Sequence, residues 1–478
     1  MKKTFITIVV VVILACSLVV SASAASFEHL ADDLNALGLF RGTDNGYDLD
    51  RAPNRVEALV MLLRLYGLEE EALACESDHP FTDVSGWQIP YVAYAFENGY
   101  TSGMTDTTFN PGGVCSAQMY VTFVLRALGY SSDEGGDFTY ADALDFGMSV
   151  GIIDEMLAYG DFLRDQMVAV SYLALSAAPK DGEFDTLFEK LAAAGVLAED
   201  GIAALKAKQA LLNEFIAVGA SLNDETNVEM KMKASVDMGL LGAMLIDMDM
   251  SMIMDGTDIL VEMNMVMDMA GEKQEMKIYM ADGFMYVDAD GDKMKMDIGL
   301  SDLVAMLAEA DTESAAISIA FPAYLICSIT KGADGDLTVY NVAFADGFID
   351  VVMAMAMEMM DGADLGDIGV GDFGLGGMGL GDMGLGDIGF EDISFSFPGI
   401  KYYADSDGML KKIDMDMGIS MKIDVSGFAM TIPIKVSCEI EIVAVGDAVK
   451  VNLPDDLDEY ELVDMEALLE TEAAAAAA

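Results

Sequence analysis

Histidine and tryptophan are almost absent from this 478-residue chain, which has two histidines and one tryptophan. His29 and His79 alone leave little room for a catalytic triad or a metal centre built on imidazole. After Cys16, the cysteines are far apart and lack the close spacing of zinc sites, so we interpret them as scattered core thiols. These are Cys75, Cys115, Cys327 and Cys438. We therefore predict no catalytic residue, no metal site and no cofactor.

Positive charge is scarce as well, since 82 acidic residues outnumber 25 basic ones and give a net charge of −57. A phosphate backbone requires a basic surface, so nucleic acid is excluded as a partner. A long apolar run occurs at the start, where Lys2 and Lys3 precede residues 5–20 and the small residues 22–24. This pattern predicts a signal peptide over residues 1–24, and hence an exported protein without a membrane span after cleavage.

The few basic residues are unevenly distributed along the chain. All arginines lie between positions 41 and 164, and no lysine occurs between residue 4 and residue 179. Guanidinium is a planar fork that binds carboxylate and phosphate groups through parallel hydrogen bonds, whereas ammonium acts as a point charge. The segregation predicts two domains of different kinds, of which the first binds an anionic ligand.

Residues 27–180 repeat a helix–turn–helix pattern, which is typical of arrays that bury their faces between neighbouring repeats. We name the repeats unit 1 (27–75), unit 2 (80–131) and unit 3 (137–180). Unit 2 has the most specific pattern, namely Phe81-x-Asp83, Trp87, Gly99, Gly103, Phe109-x-Pro111 and the closing LRALGY. On these residues the region resembles S-layer homology (SLH) repeats, and the resemblance implies an all-α array.

The resemblance also implies a ligand. In SLH repeats the helix after the loop opens with a Thr-Arg-Ala-Glu-like motif, whose arginine helps to bind a pyruvylated secondary cell-wall polysaccharide. The matching stretches are NRVE at 54–57, CSAQ at 115–118 and LRDQ at 163–166. Arg55 and Arg164 keep the arginine, whereas unit 2 has Ser116 in its place, which leaves binding by that groove open.

The arginines can also be judged by their helix positions. Arg64 and Arg126 fall in the last turn before a glycine, where a cation suits the helix dipole and serves structure. Arg55 and Arg164 fall at helix starts, where the dipole disfavours a cation. An anionic ligand therefore explains these two better.

Two residues of unit 2 complete the candidate set for binding the cell-wall polysaccharide. Asp83 belongs to the Phe-x-Asp motif, and Trp87 is the single tryptophan. An indole ring is suited both to a buried core and to stacking on a sugar, so both interpretations of Trp87 stay open.

Beyond a helical stretch the apolar residues change from a helical period to a period of two. Val228, Met230 and Met232 alternate with Glu229 and Lys231, and similar runs follow between turn sequences. This alternation predicts an antiparallel meander with one apolar and one charged face. The predicted segments are a helical connector at 183–220, a Met-rich β domain at 225–460 with a Gly-rich insertion at 361–392, and an acidic, alanine-rich tail at 461–478.

Methionine stands at almost every second position of residues 261–280. Thioethers in this spacing suit Cu(I), but valine and isoleucine replace methionine freely along the row, so we do not expect a metal. The row then predicts either a sheet face packed on a helix at 300–310 or an adaptable cavity for an apolar ligand or lipid.

The alternating strands are similar to exported proteins of Gram-positive bacteria that resemble the LolA-type lipoprotein-carrier fold. The predicted fold is therefore multidomain, with all-α SLH repeats followed by an antiparallel, α+β, LolA-like sheet domain. We predict a non-enzymatic surface protein that attaches to cell-wall polysaccharide and whose sheet binds an apolar ligand or partner. An SLH-anchored glycan hydrolase and a structural S-layer component are the alternatives.

Overall fold

The structure is a computed structural model that describes residues 27–297, 323–345 and 393–463. Within these ranges it leaves out 44–45, 134, 159–160, 223–224, 238, 240–241, 256–257, 270, 290 and 426–427. Three predicted features lie wholly outside the described residues: the signal peptide, the helix at 300–310 and the Gly-rich insertion. Residues 464–478 of the predicted tail lie outside them as well.

Helices make up the first half of the described chain. They are α1 (Glu28–Ala36), α2 (Arg55–Leu65), α3 (Glu69–Leu73), α4 (Ile89–Glu97), α5 (Ala117–Ala127), α6 (Ala143–Val150), α7 (Glu155–Ala158), α8 (Arg164–Ala174), α9 (Leu187–Ala193) and α10 (Glu199–Ala220). Helix α2 lies at the centre, because all its residues except Glu57 and Arg64 are buried. The predicted all-α region is confirmed, and α9 and α10 follow it.

Strands make up the second half. They are β1 (Val228–Asp237), β2 (Ala243–Asp255), β3 (Asp258–Met269), β4 (Glu272–Ala281), β5 (Phe284–Ala289), β6 (Asp292–Asp297), β7 (Ile326–Asp334), β8 (Leu337–Phe344), β9 (Ile393–Ala404), β10 (Leu410–Val425), β11 (Phe428–Val445) and β12 (Glu461–Leu462). They form one sheet in the order β12-β6-β5-β4-β3-β2-β1-β11-β10-β9-β8-β7. All neighbouring strands are antiparallel except β12, which pairs with β6 in parallel. The antiparallel sheet is confirmed, and the predicted tail contributes β12 to it.

The methionine row is one face of this sheet. Met232, Met248, Met265 and Met276 are directly opposite one another on β1 to β4, and side chains opposite each other share a face. The same row continues through Ile440, Ile413 and Tyr402 on β11, β10 and β9. Helix α10 covers this face at Tyr402, whose ring lies 4.7 Å from that of Phe215.

The helices and the sheet share a hydrophobic core. Phe27, before α1, contacts Tyr324, before β7, with ring centroids 5.8 Å apart. His29 Nε2 lies 2.9 Å from the carbonyl oxygen of Tyr324, and the Tyr324 hydroxyl donates to Asp154. Buried residues from α1 through β10 form one cluster. The two regions that the charge pattern distinguishes are therefore packed against each other.

Candidate functional site

Three helices of equal length begin near one another in the repeat region. Helices α2, α5 and α8 each have eleven residues. The backbone N–H of Arg55 donates to the carbonyl of Gly113, and that of Cys115 donates to Pro53. The backbone N–H of Arg164 donates to the carbonyl of Arg51. These bonds join the start of each helix to the loop of another unit.

The helix caps align the three motifs residue by residue. Asn54 precedes α2 and accepts a hydrogen bond from the Glu57 N–H, while the Glu57 carboxylate accepts from the Asn54 N–H. Ser116 occupies the same cap position before α5 and accepts from the Met119 N–H. The assignment of Ser116 to the arginine position is therefore wrong, because its hydroxyl is the cap and Ala117 begins the helix.

Arg55 is a buried cation, only 6% exposed, at the first position of α2. Its guanidinium carbon lies 4.9 Å from the ring centroid of Phe109 and 5.0 Å from that of Phe123. Its Nε has no hydrogen-bond partner among the described residues. Burial lowers the pKa of this guanidinium, since desolvation disfavours the charged form. Two aromatic faces stabilise the cation. Among the described residues, no carboxylate forms an ion pair with it.

Arg164 has a similar environment at the first position of α8. It is 6% exposed, its Nε donates to the carbonyl of Tyr47 at 3.1 Å, and it lies 5.8 Å from the ring of Phe40. Burial, with a smaller contribution from Arg51, lowers its pKa, while attraction by the carboxylates of Glu57 and Asp48 opposes the shift without forming an ion pair in the described residues. Both side chains thus extend from their own helix onto residues of another unit, but at different junctions.

The other arginines of the region have partners. Arg51 forms a bidentate pair with Glu57, with bonds of 3.0 and 2.9 Å, and a further bond to Asp48. Arg41 and Arg64 both pair with Glu69. Arg126 donates to the Ser132 hydroxyl through Nε and Nη2. The structural role predicted for Arg64 and Arg126 agrees with these contacts.

Asp83 holds the loop on which Arg55 packs. Its carboxylate accepts hydrogen bonds from the N–H of Phe109 at 2.9 Å and of Asn110 at 2.7 Å. Desolvation opposes ionisation, but these two bonds outweigh it and lower the pKa of the carboxyl group. The structure thus connects Asp83 to Arg55 through the ring of Phe109.

Trp87 lies on the surface and is 61% exposed. It belongs to a 3₁₀ turn, Gly86–Gln88, and contacts the Tyr91 ring edge-to-face with centroids 6.0 Å apart. The core interpretation of Trp87 is therefore wrong. An exposed ring held against a second aromatic side chain is able to stack on a sugar.

A groove with a cavity volume of about 580 Å³ opens at the start of α5. Ala117, Leu144, Asp161 and Phe162 are among the residues that line it. Among the described residues, Asp161 is the one acidic side chain in this lining, and no basic side chain contributes to it.

The groups that surround the two arginines were not predicted as site residues from the sequence. They are the rings of Phe109, Phe123 and Phe40 and the carbonyl group of Tyr47. Of these, Phe109 belongs to the motif of unit 2, whereas the others carry no local signal. Within the described ranges, no cluster of three or more histidine, cysteine, aspartate or glutamate side chains is arranged to bind a metal. In the same ranges no helix has both the length and the apolarity needed to cross a bilayer.

Comparison with known proteins identifies an S-layer homology domain at residues 80–116. The Middle cell wall protein of Brevibacillus brevis is 32% identical over 115 residues, which are 23% of this chain and 11% of that protein. The Surface layer protein of Brevibacillus choshinensis is 31% identical over 115 residues, covering 23% of this chain and 10% of its own length. The match thus spans about a tenth of these relatives. The domain and the relatives support a location at the cell-wall surface.

Solved structures provide a weaker comparison. LprF from Mycobacterium bovis is 11% identical, covers 50% of this chain and 96% of its own, and has a TM-score of 0.24. A LolA superfamily protein from Nitrosomonas europaea is 9% identical, covers 52% of this chain and 96% of its own, and has a TM-score of 0.15. Scores this low do not establish a common fold, so the description of the sheet rests on its own strand pairing.

Proposed function

We propose that the repeat region, units 1 to 3, attaches the protein to an acidic secondary cell-wall polysaccharide. Arg55 and Arg164 bind its acidic groups, such as pyruvate ketals, each at a separate junction between units. Trp87 supplies a face for a sugar ring, and Asp83 holds the loop under Arg55.

The observation that carries this proposal is the pair of buried guanidinium groups without a carboxylate partner in the described residues. Acidic residues outnumber basic ones by 82 to 25, so an internal partner would be easy to provide. A desolvated cation without a carboxylate partner lowers the stability of the fold. An external anion that pairs with the guanidinium would offset this penalty. Guanidinium binds a carboxylate through two parallel hydrogen bonds, which suits a ketal carboxylate.

The sheet has a separate role in this proposal. Its apolar face, which includes the half-buried Met263 and Met285 beside the buried Met265, binds an apolar ligand or partner at the cell surface. The named relatives are cell-wall and surface-layer proteins, which supports a non-enzymatic function over a glycan hydrolase. Release of reducing sugar from purified walls by the protein would instead support the hydrolase.

Attachment is tested by sedimenting the processed protein with purified cell walls. Replacing both Arg55 and Arg164 with lysine keeps the charge but removes the bidentate geometry, and each charge-assisted contact is worth about 1.5–3 kcal/mol. We expect the Arg55→Lys/Arg164→Lys protein to bind at least about tenfold more weakly, since tenfold corresponds to about 1.4 kcal/mol.

The matched control is Arg41→Lys/Arg64→Lys, which changes two arginines that both pair with Glu69. It should sediment like the wild type. Equal binding by both double variants would contradict the proposal.

A further inference from the structure

The three junctions between units are not equivalent in the structure. At the starts of α2 and α8, the first two backbone N–H groups donate to carbonyl groups of another unit. In α2, Arg55 donates to Gly113 and Val56 donates to Pro111. In α8, Arg164 donates to Arg51 and Asp165 donates to Leu49. The 580 Å³ groove lies at the third helix start, that of α5.

Two side chains also differ there. Ala117 occupies the first position of α5, which corresponds to Arg55 of α2 and Arg164 of α8. Leu144 lies six residues after Phe138, as Trp87 lies six residues after Phe81, and Leu144 lines the groove. The junction between units 2 and 3 therefore has neither a guanidinium at this helix position nor an indole at the position of Trp87.

We propose that this third groove does not bind the acidic group of the polysaccharide, and that Ala117 is the residue that sets the difference. The inference rests on the proposed function of Arg55 and Arg164. Without a basic side chain in the described lining, and with the Asp161 carboxylate present, the groove repels an anion and is suited to an uncharged part of the polymer. The protein then binds two acidic groups per chain.

The test is the stoichiometry of binding, measured by calorimetry with the processed full-length protein and a short oligosaccharide that carries one pyruvate ketal. The wild type should bind two, Arg55→Gln and Arg164→Gln one each, and the double variant none. Ala117→Arg should bind three, because the groove is large enough for the longer side chain. Ala117→Gln, which adds length without charge, is the control and should bind two.

The outcomes separate the two proposals. A wild type that binds no oligosaccharide refutes the function of Arg55 and Arg164 themselves. A wild type that binds three, or a double variant that still binds one, overturns the inference about the third groove while leaving the attachment proposal in place. A folded Ala117→Arg protein that binds only two would refute the assignment of Ala117 as the determining residue.

Discussion

Ala117 illustrates what a short motif does and does not reveal. The motif alone placed Ser116 opposite the arginines, whereas capping chemistry places it one position earlier, because serine is a preferred cap residue. Arg55 and Arg164 were identified correctly as the arginines at helix starts. Their aromatic surroundings were not, because Phe109 and Phe123 reach Arg55 only through the packing of unit 1 on unit 2.

Asp165 is a buried carboxyl group that makes stability depend on pH. It is 4% exposed, and burial raises its pKa to about 7, although the Phe27 N–H donates to its Oδ1 at 2.8 Å and opposes the shift. The folded state therefore holds a proton that the unfolded state has released between about pH 4 and pH 7. Stability from this group is highest below pH 4 and is lost as the pH rises to 7.

Replacing Asp165 with Asn keeps the acceptor for the Phe27 N–H and removes the ionisation. We expect the wild type to lose up to roughly 4 kcal/mol more than Asp165→Asn between pH 4 and pH 8, from a shift of about three pKa units. Urea unfolding of both proteins at several pH values measures the difference between their free energies of unfolding. The repulsion among the many other acidic residues affects both proteins alike and cancels in this difference. Parallel pH profiles for the two proteins would show that Asp165 does not titrate in this range.

The strands were the easiest elements to predict, because alternation along β1 to β4 is nearly unbroken. Strand order was not predictable in the same way. Strand β11 lies beside β1, with Met232 opposite Ile440, although these residues are far apart in the chain. Such pairing depends on the combined register of many strands, and a single strand contains no signal for a distant partner.

Strand β3 allows the methionine row to be tested position by position. Met265 and Met267 are 7% and 3% exposed, whereas Met269 at the strand end is 39% exposed. Leucine at 265 or 267 conserves volume and should cost less than about 1.5 kcal/mol, while alanine should cost about 2–5 kcal/mol. Met269→Ala is the matched control, expected within about 0.5 kcal/mol of the wild type in thermal unfolding. A large loss from leucine would indicate that the thioether itself is required.

The molecule as a whole is more integrated than its charge pattern suggests. Segregated arginine and lysine predicted two domains, and the structure has a helical and a β region as expected. Yet Phe27 of unit 1 packs on Tyr324 before β7, and Phe215 of the connecting helix α10 packs on Tyr402 of β9. The repeats, α10 and the sheet therefore share one cluster of buried residues. Contacts between residues so far apart in sequence carry no local pattern, and composition alone could not predict this shared core.

The shared core predicts that the repeats and the sheet unfold together. Phe215 is 6% exposed on α10, at the contact with Tyr402, and truncation of a buried phenylalanine costs about 3–5 kcal/mol. Trp87 is the chain's single tryptophan and lies in unit 2, so its fluorescence reports on the repeats, while pulsed hydrogen exchange of the strand amides at each urea concentration reports on the sheet. In Phe215→Ala, both signals should shift to lower urea concentration with the same midpoint. An unchanged Trp87 transition beside a shifted sheet transition would mean that the two regions unfold independently.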